Sequence, residues 1–158
     1  VDEGVRRILK IKKAIGLFEN PYKCLDPKLD EKLDKLRADH EPLAREAGRK
    51  SIVLLKNDSK VLPLKKSGQK IALIGPFATD TQNLEGCWTV YGDKKRAVPL
   101  DVGMCKALST SDDLEIVQGC EFETALDGGI DQAVAAAKRA EVVVLAVGEP
   151  ENFSGESQ

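Results

Sequence analysis

The sequence predicts an α/β fold, in which an open and mainly parallel sheet has helices on both faces and is incomplete within this chain. Strand candidates lie at residues 70–74, 114–117 and 142–147, and helical patterns lie between them. The first and last candidates are almost continuously apolar, which is typical of parallel strands buried on both faces. Strands that alternate with helices in this way indicate an open α/β sheet.

The two helices of this sheet are expected at residues 100–108 and 129–140. The second is rich in alanine, and its apolar side chains form one stripe at helical spacing. Three strands are few for an open sheet, so we expect the rest of the sheet to lie beyond residue 158. The chain is therefore interpreted as a piece of a larger enzyme.

The N-terminal part has a different organisation. Apolar residues recur at helical spacing over residues 4–15, and Gly16 is a suitable end for that helix. Residues 17–36 are first punctuated by prolines and then strongly charged. Such a stretch buries little, so we interpret it as a linker that crosses a surface.

A second helix is expected over residues 41–50, with Asp39 as its N-cap and Pro42 tolerated in its first turn. Two short apolar runs follow, at residues 51–56 and 61–64, with a turn sequence between them. Together they predict a small hairpin beside the main sheet.

The composition limits the classes of partner. The 24 Lys and Arg and the 26 Asp and Glu leave a formal net charge of -2. This balance cannot neutralise a run of phosphates, so nucleic acid is not an expected partner. A hydrophobic content of 42% with 32% charged residues is typical of a globular chain. No apolar run approaches the roughly 20 residues of a membrane span, so no membrane partner is expected.

The four cysteines, Cys24, Cys87, Cys105 and Cys120, lie far apart in the sequence. No Cys-x-x-Cys pair is present, which argues against a zinc site or a redox motif. We expect buried free thiols. Such thiols favour a reducing compartment, the cytoplasm over the periplasm or the outside of the cell.

An open parallel sheet binds ligands through the loops at the carboxyl ends of its strands. Here those loops begin at residues 75–80, 118–121 and 148–158. The first continues to Trp88, the only tryptophan of the chain. A lone tryptophan is more often a core filler, but this one lies among glycines and polar residues, where an aromatic face can stack on a sugar. Residues 75–80 have the position of a phosphate loop but lack both common nucleotide-binding motifs.

Several strings, in this order and at this spacing, carry a family resemblance. They are Gly-Leu-Phe-Glu-Asn-Pro-Tyr at residues 16–22, Ser-Ile-Val-Leu-Leu-Lys-Asn at 51–57, Leu-Pro-Leu at 62–64, Ile-Ala-Leu-Ile-Gly-Pro at 71–76 and the strand and loop at 142–155. The chain resembles glycoside hydrolase family 3, the β-glucosidase family, over nearly its whole length.

The resemblance implies a two-domain enzyme with its active site between a TIM-type barrel and an α/β sandwich. Residues 1–16 would be the last helix of the barrel domain, residues 17–45 the interdomain linker, and residues 46–158 the N-terminal part of the sandwich. The family's nucleophile is an aspartate of the barrel, in a segment that this chain lacks. By itself the chain is expected to be inactive.

The resemblance also implies that Glu156 is the catalytic acid/base. A retaining glycosidase has two carboxyl groups about 5–5.5 Å apart, one to attack the anomeric carbon and one to protonate the departing oxygen. Glu156 must arrive protonated, so enclosure against the barrel would have to raise its pKa. On spacing alone, Glu149, Glu151 and Glu156 form a solvated acidic loop. Glu149 is the rival acid, although we expect it to orient the loop by hydrogen bonding.

By the same resemblance Trp88 is a substrate-binding residue that lines the sugar site. The predicted function is that of a retaining, exo-acting β-glucosidase, which removes terminal glucose from β-glucosides or short β-glucan oligosaccharides. This chemistry needs no metal and no organic cofactor. β-Xylosidase activity stays open, and the alternative is a non-catalytic sugar-binding or scaffold module.

Overall fold

The computed structural model describes residues 1–89 and 91–153, apart from the side chain of Asp112. The chain divides into two compact units, which we call the N-terminal unit (Val1–Asp58) and the sheet unit (Ser59–Gln158). The N-terminal unit contains helices α1 (Asp2–Ala14) and α2 (Leu29–Ser51). The sheet unit contains, in order, β1 (Ile71–Ile74), α3 (Leu100–Ala107), β2 (Leu114–Val117), α4 (Gly129–Arg139) and β3 (Val142–Leu145).

The described sheet has the order β2-β1-β3, and both strand pairs are parallel. Ile71 at the start of β1 lies opposite Leu114 of β2 and Val142 of β3. All three strands and both helices are near their predicted positions. The predicted parallel α/β sheet is therefore confirmed, with β1 in its centre.

The core lies on both faces of β1, whose four residues are all buried. On one face Ala72 and Ile74 pack with Ala136 of α4. On the other face Leu73 packs with neighbours that include Met104 of α3. Each face of the sheet therefore has its own helix, as the sequence predicted, and the alanines of α4 let that helix approach closely.

The third strand differs from its prediction. Val143 and Leu145 of β3 remain 40% and 64% exposed, so β3 is not buried on both faces. It lies at the edge of the described sheet, and α4 packs on β2 and β1 instead. A continuous apolar run shows that a strand can be buried on both faces, but it does not show which helix covers it.

In the N-terminal unit, α1 confirms the first predicted helix, and Gly16 ends it as expected. Gly16 has a φ of 73°, in the left-handed region. Its N–H donates to the carbonyl of Lys13 at 2.9 Å, and the N–H of Leu17 donates to that of Lys12 at 2.9 Å. This pair of bonds is a Schellman motif, which satisfies carbonyls at the helix end.

Helix α2 corrects the predicted second helix. It begins at Leu29, so Asp39 and Pro42 lie in its interior rather than at its start. The signal for the true start is Asp26, whose carboxylate accepts a hydrogen bond from the N–H of Lys28 at 2.9 Å. Charged residues such as Lys, Glu and Arg are good helix formers, so a stretch that buries nothing can still be helical.

The predicted hairpin is also wrong, because residues 52–64 contain no strand. Ile52, Val53, Leu54 and Leu55 are instead 78%, 74%, 61% and 91% exposed. A high strand propensity describes side chains that fit a pleated, half-buried surface. An isolated two-stranded hairpin is at best marginally stable, so the apolar run alone did not determine a strand.

Candidate active site

Three loops leave the carboxyl ends of the strands and meet at one edge of the sheet. We call them the β1 loop (residues 75–99, of which 90 is not described), the β2 loop (118–128) and the β3 loop (146–153). Phe77 of the β1 loop is their meeting point. Its ring lies 4.8 Å from the ring of Phe122 in an edge-to-face arrangement. A methyl group at Gly148 would lie only 3.0 Å from the ring of Phe77.

The backbones of the β1 and β3 loops also approach each other closely. The N–H of Phe77 donates to the carbonyl of Ala146 at 3.2 Å. Gly75 has a φ of +126°, and a methyl group there would lie 2.3 Å from the carbonyl oxygen of Ala146. Only glycine fits this position without strain, so Gly75 determines how closely the two loops can pack.

A polar network joins the same two loops further out. The Asp80 carboxylate accepts two hydrogen bonds from Asn83, one from the backbone N–H and one from Nδ2, both at 2.9 Å. The Oδ1 atom of Asn83 then accepts the backbone N–H of Glu151 at 2.9 Å. Finally, Lys94 Nζ forms an ion pair with Glu151 Oε1 at 2.6 Å. The network therefore connects the β1 loop to the start of a short helical turn, Glu151–Phe153.

Beside this network lies a cleft of about 420 Å³, which we call the polar cleft. The hydroxyl of Thr89 donates to the carbonyl of Glu85 at 2.7 Å and closes the loop that borders it. The residues that line the polar cleft come from the β1 and β3 loops and are mostly polar: Glu85, Gly86, Cys87, Thr89, Gly92, Lys94, Glu151 and Asn152. A polar, open cleft of this size has the dimensions of a small-molecule site.

Trp88 lies between two residues that line the polar cleft, Cys87 and Thr89. Its side chain is 72% exposed, so the tryptophan is not a core filler. Tyr91, in the same loop, is 97% exposed. The β1 loop therefore presents two aromatic residues to solvent at the carboxyl edge of the sheet.

The acidic residues of the β3 loop differ in their contacts. Glu151 is held by Lys94 and by Asn83. Glu149 is exposed, and no hydrogen bond reaches its carboxylate from the part of the chain that the structure describes. Among the described residues, the contacts that orient this loop are therefore those of Glu151, and not those of Glu149 as expected. Glu156, the predicted acid/base, lies outside the described residues.

At the opposite edge of the sheet, Arg139 of α4 forms a two-pronged ion pair with Glu115 of β2. The hydrogen bonds from the guanidinium lower the pKa of the Glu115 carboxyl. This pair resembles the pair of Lys94 and Glu151 in chemistry but lies far from the three loops, because β2 and α4 meet there near the amino ends of the strands.

All four cysteines are free thiols, as predicted, but none is buried. Cys24 is exposed because its unit has no core, and the other three are half-buried. Over residues 1–89 and 91–153 no cluster of three His, Cys, Asp or Glu side chains is placed to hold a metal ion. Over the same residues, no helix is long and apolar enough to cross a membrane.

Comparison with known proteins identifies the family. The sequence profile of the glycosyl hydrolase family 3 C-terminal domain matches residues 52–158. The chain belongs to glycoside hydrolase family 3. It is 34% identical over 179 residues to a periplasmic β-glucosidase of Salmonella typhimurium, covering 99% of this chain and 23% of that protein. A β-xylosidase of Formosa agariphila is 32% identical over 161 residues, covering 99% of this chain and 22% of that protein.

A solved structure has the same fold. The crystal structure of β-glucosidase from Listeria innocua matches with a TM-score of 0.82 and 39% sequence identity, over 99% of this chain and 21% of that one. This family 3 chain therefore spans less than a quarter of the length of these relatives.

The network of Asp80, Asn83, Lys94 and Glu151 was not predicted from the sequence. One signal was available, since all four residues lie in loops that follow the carboxyl ends of parallel strands. The ion pair of Lys94 with Glu151 could not be predicted from the sequence. The two residues are 57 positions apart, and only the strand order brings their loops together.

Proposed function

We propose that this chain is part of a retaining, exo-acting β-glucosidase that removes terminal β-linked glucose from small glycans or glucosides. The observation that carries the proposal is the likeness, at 39% identity over 99% of the chain, to the β-glucosidase of Listeria innocua. That enzyme has been solved with glucose, and a mutant form of it with laminaribiose. A β-glucoside or a short β-glucan oligosaccharide is accordingly the proposed substrate.

In the proposed reaction, Glu156 protonates the departing glycosidic oxygen while an aspartate of a barrel domain attacks the anomeric carbon. The bond to the departing group breaks, and a covalent glycosyl-enzyme forms. Glu156 then removes a proton from water, which attacks the same carbon and releases the sugar with its configuration retained. The family resemblance supports this role, since Ser-Gly-Glu at residues 154–156 follows the strand end where the family carries its acid/base.

The described residues of the β1 and β3 loops support a sugar site. The exposed ring of Trp88 offers an apolar surface for the face of a sugar. The polar cleft next to it offers carboxylate, ammonium, hydroxyl and amide groups for the sugar hydroxyls. Trp88 is therefore the proposed substrate-binding residue.

The proposed partner is the barrel domain of the same protein. Residues 1–16 would be the last helix of that domain, residues 17–45 the linker and residues 46–158 the first part of the sandwich. Helix α1 exposes a row of apolar side chains, Val5, Ile8 and Leu9, at 51%, 56% and 44%. An apolar face of this kind marks an interaction surface. Helix α2 runs through the proposed boundary at residues 45 and 46.

A second candidate function is that of a β-xylosidase, since the relative in Formosa agariphila carries that name at 32% identity. The reaction is the same, and the two substrates differ by one hydroxymethyl group. Hydrolysis of 4-nitrophenyl β-glucoside and 4-nitrophenyl β-xyloside by the full-length enzyme decides between them. A non-catalytic sugar-binding or scaffold module would hydrolyse neither.

The role of Glu156 is tested with Glu156→Ala in the full-length enzyme. We expect kcat/KM for aryl β-glucosides with poor leaving groups to fall by about 10²–10⁴-fold, because such groups need a proton donor. On 2,4-dinitrophenyl β-glucoside, whose leaving group needs no proton donor, breakdown of the glycosyl-enzyme should limit turnover in this variant. With that substrate azide should raise kcat and yield a β-glycosyl azide, since a small anion can attack the glycosyl-enzyme without a general base.

The matched control is Glu149→Ala, which removes the neighbouring carboxylate that forms no hydrogen bond within the described residues. Its rates should stay near those of the wild-type enzyme. Normal rates in Glu156→Ala would contradict the assignment and transfer the acid/base role to another residue.

A further inference from the structure

The ion pair of Lys94 and Glu151 joins the loop that carries Trp88 to the loop that leads to Glu156. We propose that Lys94 and Glu151 are positioning residues, which hold the proton-donor segment in place beside the sugar-stacking ring. This inference rests on the proposed function, because it assumes that Glu156 donates the proton.

Glu151 is bound at two points. Its backbone N–H donates to Asn83 at 2.9 Å, and its carboxylate accepts from Lys94 at 2.6 Å. A residue held through both backbone and side chain has a fixed position and a fixed chain direction. Glu156 is five residues further along, so an extended chain can carry it at most about 18 Å from this anchor.

Lys94 fixes the other side of the same contact. It is the first residue of a short helical turn, Lys94–Arg96, and Asp93 accepts the N–H of Lys95 at 3.2 Å at the start of that turn. Trp88 precedes Lys94 by six residues in the same loop. One ion pair therefore sets both the end of the tryptophan loop and the beginning of the proton-donor segment.

The pair is poorly suited to a purely stabilising role. The side chains of Lys94 and Glu151 are 36% and 32% exposed, and ion pairs with this access to water contribute little to folding. The pair can still matter for the orientation of the proton donor, because a small misplacement of a catalytic group lowers the rate strongly. Loss of the pair should therefore change catalysis more than it changes stability.

The test uses Lys94→Met in the full-length enzyme with a series of aryl β-glucosides. A 2,4-dinitrophenyl group departs without protonation, whereas a phenyl group needs the proton donor. We expect kcat/KM for the phenyl glucoside to fall about tenfold more than that for the dinitrophenyl glucoside, as misplacement of the acid requires. Lys94→Arg, which keeps the charge, should restore most of the loss.

The matched control is Arg139→Met, which breaks a similar ion pair at the opposite edge of the sheet. This variant should change kcat/KM equally for both substrates and by less than about twofold, because an exposed ion pair contributes little to the structure. Glu151→Gln removes the other partner and should reproduce the leaving-group dependence of Lys94→Met. It also keeps the test decisive if the methionine variant fails to fold.

Equal losses on both substrates in Lys94→Met and Glu151→Gln, or no losses, would overturn the inference. The proposed function fails in a different way, namely if Glu156→Ala itself shows no dependence on the leaving group. A leaving-group effect in Glu156→Ala without one in Lys94→Met and Glu151→Gln leaves the proposed function intact and removes only the positioning role.

Discussion

The two units of this chain are stabilised in different ways. In the sheet unit, residues such as Leu73 and Ala136 are fully buried, and parallel strands pair residues from distant parts of the sequence. In the N-terminal unit, where every residue is described, none is buried. Its two helices are supported by local bonds, among them the Schellman motif at Gly16 and short-range ion pairs such as Lys50 with Glu46. Within the described residues, tertiary packing supports the sheet unit, whereas local bonds support the N-terminal unit.

The contrast teaches where a substitution acts. In the sheet unit an added methyl group at Gly75 or Gly129 meets backbone atoms of another part of the chain, so the effect is long-range and destabilising. In the N-terminal unit an added methyl group at Gly4 or Gly48 meets no atom within 4 Å, so only the local preference of the backbone changes. Alanine substitutions at glycines test this difference directly, because they add one carbon atom in each case.

The largest effect is expected for Gly75→Ala in the sheet unit. Alanine at a φ of +126° is strained, and its methyl group would lie 2.3 Å from the carbonyl oxygen of Ala146. We expect a loss of more than about 3 kcal/mol in the free energy of unfolding, from strain and backbone displacement together. Urea denaturation followed by circular dichroism measures it.

The control is Gly103→Ala in α3, where an added methyl group meets no atom within 4 Å. It should leave stability unchanged or raise it by less than about 1 kcal/mol. Equal effects at Gly75 and Gly103 would show that the close approach of the β1 and β3 loops does not determine stability.

The same contrast explains what the sequence predicted and what it did not. The three strands, α3 and α4 were predictable because burial imposes a period or a continuous apolar run on the residues involved. Helix α2 was not predicted in full, although Leu29, Leu33 and Leu36 recur at helical spacing, because the many charges around them were interpreted as a linker. There the propensity of residues 29–41 was the better signal, and Pro42 was misread as a boundary.

The site was predictable only in part. The position of the loops at the carboxyl edge of the sheet followed from the alternation of strands and helices, whereas the binding role of Trp88 came from the family resemblance and stays a prediction. The contact of Lys94 with Glu151 did not follow from this alternation, because it depends on two loops that only the pairing of β1 with β3 brings together. Long-range polar contacts leave no periodic trace in a sequence.

A smaller effect of opposite sign is expected for Gly48→Ala in the N-terminal unit. Gly48 lies inside α2, and an added methyl group meets no atom within 4 Å. Alanine loses less backbone entropy than glycine in a helix, so we expect a gain of about 0.5–1 kcal/mol. Far-UV circular dichroism during thermal unfolding should show more helix at each temperature. Ala47→Gly is the reverse control and should lose a similar amount, whereas a loss in both variants would contradict a continuous helix through this segment.

The smallest effects concern one ion pair in each unit, where the two units should behave alike. Hydrogen bonds from Lys32 lower the pKa of Asp26, and those from Arg139 lower the pKa of Glu115. A carboxyl whose pKa is lower in the folded state adds stability above its ordinary pKa, and this stability is lost as the pH falls through the folded-state value.

We expect Lys32→Met to raise the pKa of Asp26, and Arg139→Met that of Glu115, in carboxyl NMR titrations. Stability at neutral pH should hardly change in either variant, because both pairs are open to water. A large loss of stability in Arg139→Met alone would contradict this expectation. It would mean that the ion pair of Arg139 with Glu115 contributes more to folding than its exposure to water predicts.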